Sequence, residues 1–243
     1  LSLHDALPIL KISIAIPCYE MKPYGDIFLD FSLEKIYYQT YKNINVVVSD
    51  HSKDNSIKNV CDKWSGKIDI KYIRKRYNTE CPSDNLNVAM SNCEGDYIKI
   101  LFQDDYLYNA VSIQKTVDAI NANPDVKWFA STSEHSNDGI TCYRRLTPRW
   151  NDDMWRGHNS ISSPSVITLK NDKDLLFFDH SLVWLMDCDY YQNCYNNFGL
   201  PVFIDEITVV NRTWQNQLTN VLSDEKKNSE FEIVNRKYGK VTA

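Results

Sequence analysis

The sequence predicts an α/β protein with a mostly parallel central sheet flanked by helices. In the first half, short apolar β-branched runs alternate with segments of helical periodicity, the pattern of parallel strands joined by crossover helices. The run Val46-Val47-Val48 is too continuous for a strand with one solvated face. At 243 residues, 43% hydrophobic and 24% charged, the chain holds one large α/β domain or two small ones and is not disordered.

The first strand covers 12–16 and is stopped by Pro17. Phe28, Phe31 and Ile36 fall at helical spacing over 28–39. A strand over 45–49 follows, then Asp54 can cap a helix over 55–64. Next come a strand at 69–73, a helix at 83–92 and a fourth strand at 97–102. A helix over 110–121 closes at Asn123-Pro124, and 126–130 is the next strand. After Ser131 the rhythm breaks: 131–163 is polar and rich in Trp and Arg, with Arg144, Arg145, Arg149, Trp150, Trp155 and Arg156. A strand at 165–169, a helix from Leu182 to about 196 and a strand at 202–210 come after it. The charged stretch after Thr219 reads as a peripheral helix or a loose end. Residues 1–9 lack the charged and apolar regions of a signal peptide and are expected to be a leader or artefact outside the fold.

Net charge is −5 and the basic residues are scattered, which argues against a dedicated nucleic-acid surface. The basic run from Lys71 to Arg76 is either a solvated strand tip or phosphate-facing charge. Seven cysteines without paired spacing fit reduced thiols in the cytoplasm better than a disulfide framework or a zinc site. Asn211-Arg212-Thr213 matches a glycosylation acceptor by pattern only. No apolar stretch reaches the length of a membrane span, so membrane contact would be peripheral.

Gln103-Asp104-Asp105 directly follows the apolar run Tyr97 to Phe102. Adjacent carboxylates where a buried strand ends repel each other and resist desolvation. A divalent cation, Mn²⁺ or Mg²⁺, removes that cost and turns the pair into a site for phosphate oxygens. A solvated turn holding two acids is the plainer alternative. Open α/β sheets bind ligands at the carboxyl ends of their strands, where Pro17-Cys18-Tyr19-Glu20 and Ser49-Asp50-His51-Ser52-Lys53-Asp54 also fall. Together these loops could offer a slot for a base, an acceptor for ribose hydroxyls and a cation for a diphosphate. There is no P-loop and no Gly-x-Gly-x-x-Gly, which disfavours the usual dinucleotide fold.

The segments 14–20, 46–54 and 94–105, in this order and spacing, resemble the family 2 glycosyltransferases, and the likeness runs from about Lys11 to Thr219. The resemblance implies a GT-A fold, with residues 10–131 as the nucleotide-sugar half, 132–219 as the acceptor and catalytic-base half, and 220–243 as a charged tail. It further implies inverting transfer from a nucleotide-diphosphate sugar, with UDP favoured, to a hydroxyl of a glycan or other acceptor. Pro17, Cys18, Tyr19, Glu20, Ser52, Asn87 and Gln103 would contact the donor, and Asp50 would read the base, although Ser49 and His51 depart from the common Asp-Asp-Gly-Ser. Asp104 would touch the ribose and Asp105 would bind the cation. Gln103 stands where many relatives carry the first Asp of Asp-x-Asp. Asp187 aligns with the catalytic base, with Met186 in place of the usual Glu, while Asp189 would face away from it. Trp214 replaces a His that often completes the metal shell; His135, His158 and His180 are candidate substitutes. Trp150, Trp155 and Trp184 would either stack on sugars or pack. Two other function classes stay open: a nucleotidyltransferase, which would need a Gly-rich loop that 17–25 lacks, and a non-catalytic sugar-nucleotide binder.

Overall fold

A computed structural model describes residues 9–74, 81–215, 217 and 222–239. The expected leader at 1–8 and the tip of the basic run, Lys75 and Arg76, lie outside the described residues. The first seven elements follow the expected alternation: β1 (Ile12–Cys18), α1 (Gly25–Tyr37), β2 (Ile44–Asp50), α2 (Ser56–Trp64), β3 (Ile70–Arg74), α3 (Pro82–Ser91) and β4 (Tyr97–Ile100). Then come β5 (Tyr106–Leu107), α4 (Ser112–Ala122), β6 (Trp128–Ser136), β7 (Cys142–Leu146), β8 (Ile167–Lys170), α5 (Met186–Phe198), β9 (Val202–Arg212) and α6 (Asp224–Tyr238).

All nine strands form one sheet in the order β3-β2-β1-β4-β8-β6-β9-β5, with β7 paired to β6. The β3-β2-β1-β4 half is parallel, as the alternation requires. Beyond β4 the sheet is mixed: β8 runs antiparallel between β4 and β6, and β6 pairs parallel with β9. Because β2 and β4 lie on opposite sides of β1, the chain leaves β1 one way and returns on the other. That opens a crevice at the carboxyl ends of β1 and β4. Cys18 and Asp50 are register partners at the ends of β1 and β2, so both loops start at one level.

Side chains alternate across the strands and fill two cores. Ile14, Ile16, Val46 and Val48 pack with Leu29 and Leu33 of α1, Ile57 of α2 and Val117 of α4. Ala15, Val47, Ile98 and Ile100 pack on the other face with Leu86 of α3, Tyr190 and Tyr191 of α5 and Val234 of α6. Each large side chain removed from water contributes about 1.5–3 kcal/mol, so both helical layers are held by the sheet. The charged stretch after Thr219 includes α6, which is neither loose nor merely peripheral: Val234 and the carboxylate-bearing Glu230 are fully buried. No helix among the described residues is long and apolar enough to cross a membrane.

Candidate functional site

The loop after β1 is shaped by packing. A Cβ on Gly25 would lie 2.3 Å from the Glu20 carbonyl oxygen, so only glycine lets this loop close on itself. Gln103 braces it: its Oε1 accepts from the Tyr19 N–H at 2.9 Å and its Nε2 donates to the Gly25 carbonyl at 2.6 Å. Gln103 is thereby spent as a cross-link between β1 and β4. Glu20 accepts from the Lys53 N–H at 3.1 Å, tying the β1 and β2 loops together.

Asp50 is fully buried and accepts from the Ser52 N–H (2.7 Å) and the Tyr72 hydroxyl (2.5 Å). Ser52 Oγ and Asn85 Oδ1, by contrast, are buried without a hydrogen-bond partner. Buried polar atoms are rarely left so, and an unmet acceptor and hydroxyl at a strand edge are the mark of a ligand surface. Asn85 Nδ2 donates to the Cys18 carbonyl at 2.9 Å, which holds the amide at that edge. Tyr19 is 45% exposed beside it.

Two of the expected donor contacts sit elsewhere. The Cys18 thiol belongs to the core with Ile16 and Leu29, and burial pushes its pKa up, so only its backbone reaches the edge. Asn87 clasps the Phe178 backbone on the far side of α3, donating to its carbonyl at 2.8 Å and accepting its N–H at 2.9 Å. In the stretch 85–89, Asn85 faces the site.

The acids after β4 differ in their surroundings. Asp105 is buried, and three donors hold it: Ser163 Oγ (3.1 Å) and Asn211 Nδ2 (2.9 Å) on Oδ2, and the Arg212 N–H (2.9 Å) on Oδ1. Asp104 is half-buried, and its carboxylate accepts from Trp214 Nε1 at 3.1 Å on Oδ2. Burial raises the pKa of both acids, and the charge of Asp105 raises Asp104 further. Beneath them the fully buried Lys99 donates to the Ser165 carbonyl at 2.5 Å; burial pulls its pKa down to about 7 against the opposing charge of Asp105. Among the described residues no three His, Cys, Asp or Glu side chains converge to hold an ion by themselves. His135 is tied to the Arg144 carbonyl, and His158 and His180 are exposed.

Asp187 stands in the first turn of α5, where the helix N-terminus favours negative charge. Its Oδ2 accepts from Asn159 Nδ2 at 2.6 Å and its Oδ1 from the Cys188 N–H at 2.7 Å. Burial raises its pKa, and those two donors oppose the rise, which is what a general base working near neutrality needs. Asp189 points away, as expected: it is buried against Lys237 (2.8 Å) and the Tyr238 hydroxyl (2.9 Å) of α6.

The N-terminus of α5 is also held by α6. Glu230 accepts the N–H groups of Val183 (3.0 Å), Trp184 (2.8 Å) and Leu185 (2.9 Å). These orphan donors would otherwise lie unmet beside Asp187. Trp184 packs edge-on to Phe231, Trp155 lies against Tyr238 and Trp150 stacks on Tyr195 at 4.2 Å. All three tryptophans therefore pack against the core. Ser162, in left-handed backbone at φ 113°, links the end of β9 to α5: Oγ donates to Asn211 Oδ1 (2.9 Å) and its carbonyl accepts from Asn159 (2.9 Å) and the Tyr191 hydroxyl (3.0 Å). A non-glycine residue there costs about 1–3 kcal/mol and persists only where its surroundings fix it.

Sequence reasoning missed Asn85, Asn159, Ser163 and Glu230. Asn211 lay in a quoted segment but without a role.

This is the crevice of a GT-A fold, and sequence comparison agrees. The family model described as "Glycosyl transferase family 2" matches residues 13–193, and the chain belongs to that family. Among curated proteins it is similar to the poly(ribitol-phosphate) beta-N-acetylglucosaminyltransferase TarS of Staphylococcus aureus, 26% identical over 98 residues, 40% of this chain and 17% of that protein. An uncharacterized glycosyltransferase of Rickettsia felis is 38% identical over 112 residues, 45% of this chain and again 17% of the relative. The chain thus matches only a small part of these relatives' length. Among solved structures, Staphylococcus aureus TarS 1-349 in complex with UDP-GlcNAc aligns with a TM-score of 0.74 at 16% identity, over 94% of this chain and 66% of that one. Mannosyltransferase PcManGT from Pyrobaculum calidifontis, in complex with GDP-Man and Mn2+, gives a TM-score of 0.62 at 14% identity, over 85% of this chain and 58% of that one. These structural likenesses show the fold.

Proposed function

We propose that the chain transfers a sugar, with inversion, from a nucleotide-diphosphate sugar to an acceptor hydroxyl, with Asp187 as the general base. The observation that carries the reading is one hydrogen-bonded chain, Asp105–Asn211–Ser162–Asn159–Asp187, which joins the acids at the β4 exit to a carboxylate of raised pKa at the head of α5. Residues 10–131 form the donor half in this reading, and 132–219 form the acceptor half together with α6.

The base and ribose would occupy the edge where Ser52 Oγ and Asn85 Oδ1 lack partners, beside Asp50 and Tyr19. A UDP-linked donor is supported by the neighbour solved with UDP-GlcNAc, while the neighbour with GDP-Man keeps the choice of base a matter for assay.

The residues fit a divalent cation in a particular way. Asp105 has three of its acceptor positions taken, whereas Asp104 Oδ1 meets no side-chain donor among the described residues. We assign the ligand role to Asp104, with Asp105 setting the turn, and diphosphate and water would complete the shell. A cation bound there supplies Lewis-acid stabilisation of the leaving diphosphate. The chain's own residues do the rest. Asp187 takes the proton from the acceptor hydroxyl as its oxygen attacks the anomeric carbon, and the bond to the diphosphate oxygen breaks on the opposite face. Seven free cysteines, six of them buried, suit a reducing compartment and support a cytoplasmic setting.

The test is UDP or GDP release from a donor panel, with and without EDTA, with hydroxyl acceptors supplied and omitted. EDTA-sensitive release of one nucleotide supports the reading. Tight UDP binding without release from any donor would favour a non-catalytic binder, and pyrophosphate release would favour a nucleotidyltransferase.

A further inference from the structure

Asn159 makes four hydrogen bonds with one carboxamide. Its Oδ1 accepts the N–H groups of Ile161 (2.9 Å) and Ser162 (3.0 Å); its Nδ2 donates to the Ser162 carbonyl (2.9 Å) and to Asp187 Oδ2 (2.6 Å). That exhausts the two donors and two acceptor positions of the group, so the amide has one orientation and no freedom to turn. The geometry points to Asn159 as the positioning residue of the base, aiming Asp187 and joining it through Ser162 and Asn211 to the acid turn after β4. This rests on the reading of Asp187 as the base. Its other partners lie in its own helix turn, the N–H and thiol of Cys188, so Asn159 is the side chain that reaches it from another segment among the described residues.

Both ends of the link are fixed. Ser162 is buried and bonded through its N–H, carbonyl and hydroxyl. Asn211 donates to Asp105 while it accepts from Ser162. A shift of the acid turn on donor binding would therefore be felt at Asp187 through groups with little slack. The titratable groups facing Asp187 are the Cys188 thiol and the Tyr191 phenol, both pushed up by burial and so uncharged near neutrality. Asn159 is then the polar side chain that favours the ionised base, and it lowers the pKa that burial has raised.

Two variants separate positioning from turn building. Asn159→Asp keeps an acceptor for the Ile161 and Ser162 N–H groups but loses both donors, and Asn159→Ala loses everything. Asp187 would be titrated by carboxyl-carbon NMR in aspartate-labelled protein, with the signal assigned through Asp187→Asn. In parallel, kcat and donor KM would be measured for nucleotide release from UDP-GlcNAc. The inference expects an upward shift of the Asp187 midpoint in Asn159→Ala, and a kcat lowered roughly ten- to hundred-fold in both variants, as for a misplaced catalytic group. Donor KM should stay near parental. A parental Asp187 midpoint in Asn159→Ala, or a parental kcat in Asn159→Asp, overturns it. The NMR titration needs no turnover, so a chain that transfers no sugar would sink the proposed function while the Asp187 midpoint still decides the role of Asn159.

Discussion

Replacing Glu230 by alanine should destabilise the whole acceptor half. The side chain is completely buried and takes the N–H groups of Val183, Trp184 and Leu185 at 2.8–3.0 Å. Its cationic partner among the described residues, Lys226 at 3.4 Å, is itself 40% exposed in its side chain and returns to water at little cost. Hydrogen bonds to a charged group are worth about 1.5–3 kcal/mol each, but three on one carboxylate do not add. Removing one partner from a buried charged network typically costs about 3–5 kcal/mol. For a chain of this size each kcal/mol moves the melting temperature by roughly 2–4 °C, so Glu230→Ala should melt about 6–20 °C below the parent. Glu230→Gln keeps one accepting oxygen and should fall between the two. Denaturant titration followed by circular dichroism at neutral pH measures the loss. A variant within about 0.5 kcal/mol of the parent, the range of an ordinary surface substitution, would refute the role of α6 as a clamp on α5.

Three further outcomes follow from the same contacts. Asp104→Ala should abolish the cation dependence of UDP binding measured by calorimetry with the fold intact, whereas Asp105→Ala should strand the Asn211, Ser163 and Arg212 donors and lower stability by about 2 kcal/mol or more; equal cation dependence in Asp104→Ala and the parent would count against the assignment. Asp50→Ala should weaken UDP binding by roughly ten-fold, the effect of losing about 1.4 kcal/mol, and an unchanged affinity would pass the base to Ser49 or Asn85. Burial acts to raise Asp179, but Lys237 and Ser181 outweigh it and hold the carboxyl at about 2. A folded-state pKa below the unfolded one contributes stability that is present above about pH 4 and lost as pH falls towards 2. Lys237→Met should flatten that part of the acid-unfolding curve, and an unchanged curve would contradict the pairing.

The donor half was legible because its strands are buried on both faces and punctuated by polar loops. Val46-Val47-Val48 could only be an interior strand, and it is one. The second half resisted reading because its buried strands are polar. β6 continues from Ala130 through Ser131, Thr132 and Ser133, whose hydroxyls meet Thr208, the Ile204 carbonyl and Ser162. Hydrophobic periodicity cannot register a strand whose core-facing groups are satisfied by one another. The strand expected at 165–169 is β8, but its antiparallel pairing with β4, like that of the short β5 with β9, is set by tertiary contacts that no local pattern records. In the site, residue type singled out Asp50, Asp104, Asp105 and Asp187, but their partners depend on tertiary contacts 22 to 110 positions apart in sequence. Asn85 rather than Asn87 facing the edge is a matter of helix phase, and the saturation of Asp105 came from β9. Glu230 had no local signal, since an acid on a charged helix reads as solvated until the N-terminus of α5 is seen to sit on it.

The most direct test of the account compares Asp187→Asn with Asp189→Asn in nucleotide release from a UDP-sugar with acceptor hydroxyls supplied. General-base catalysis contributes roughly 10²–10⁴-fold, so Asp187→Asn should lower turnover by about that factor while UDP affinity stays near parental. Asp189→Asn keeps an oxygen for Lys237 and Tyr238 but loses the charge paired with Lys237, and should cost some stability while keeping most of its turnover. Near-parental turnover in Asp187→Asn, with or without loss in Asp189→Asn, would contradict the assignment of the base on which the proposed mechanism stands.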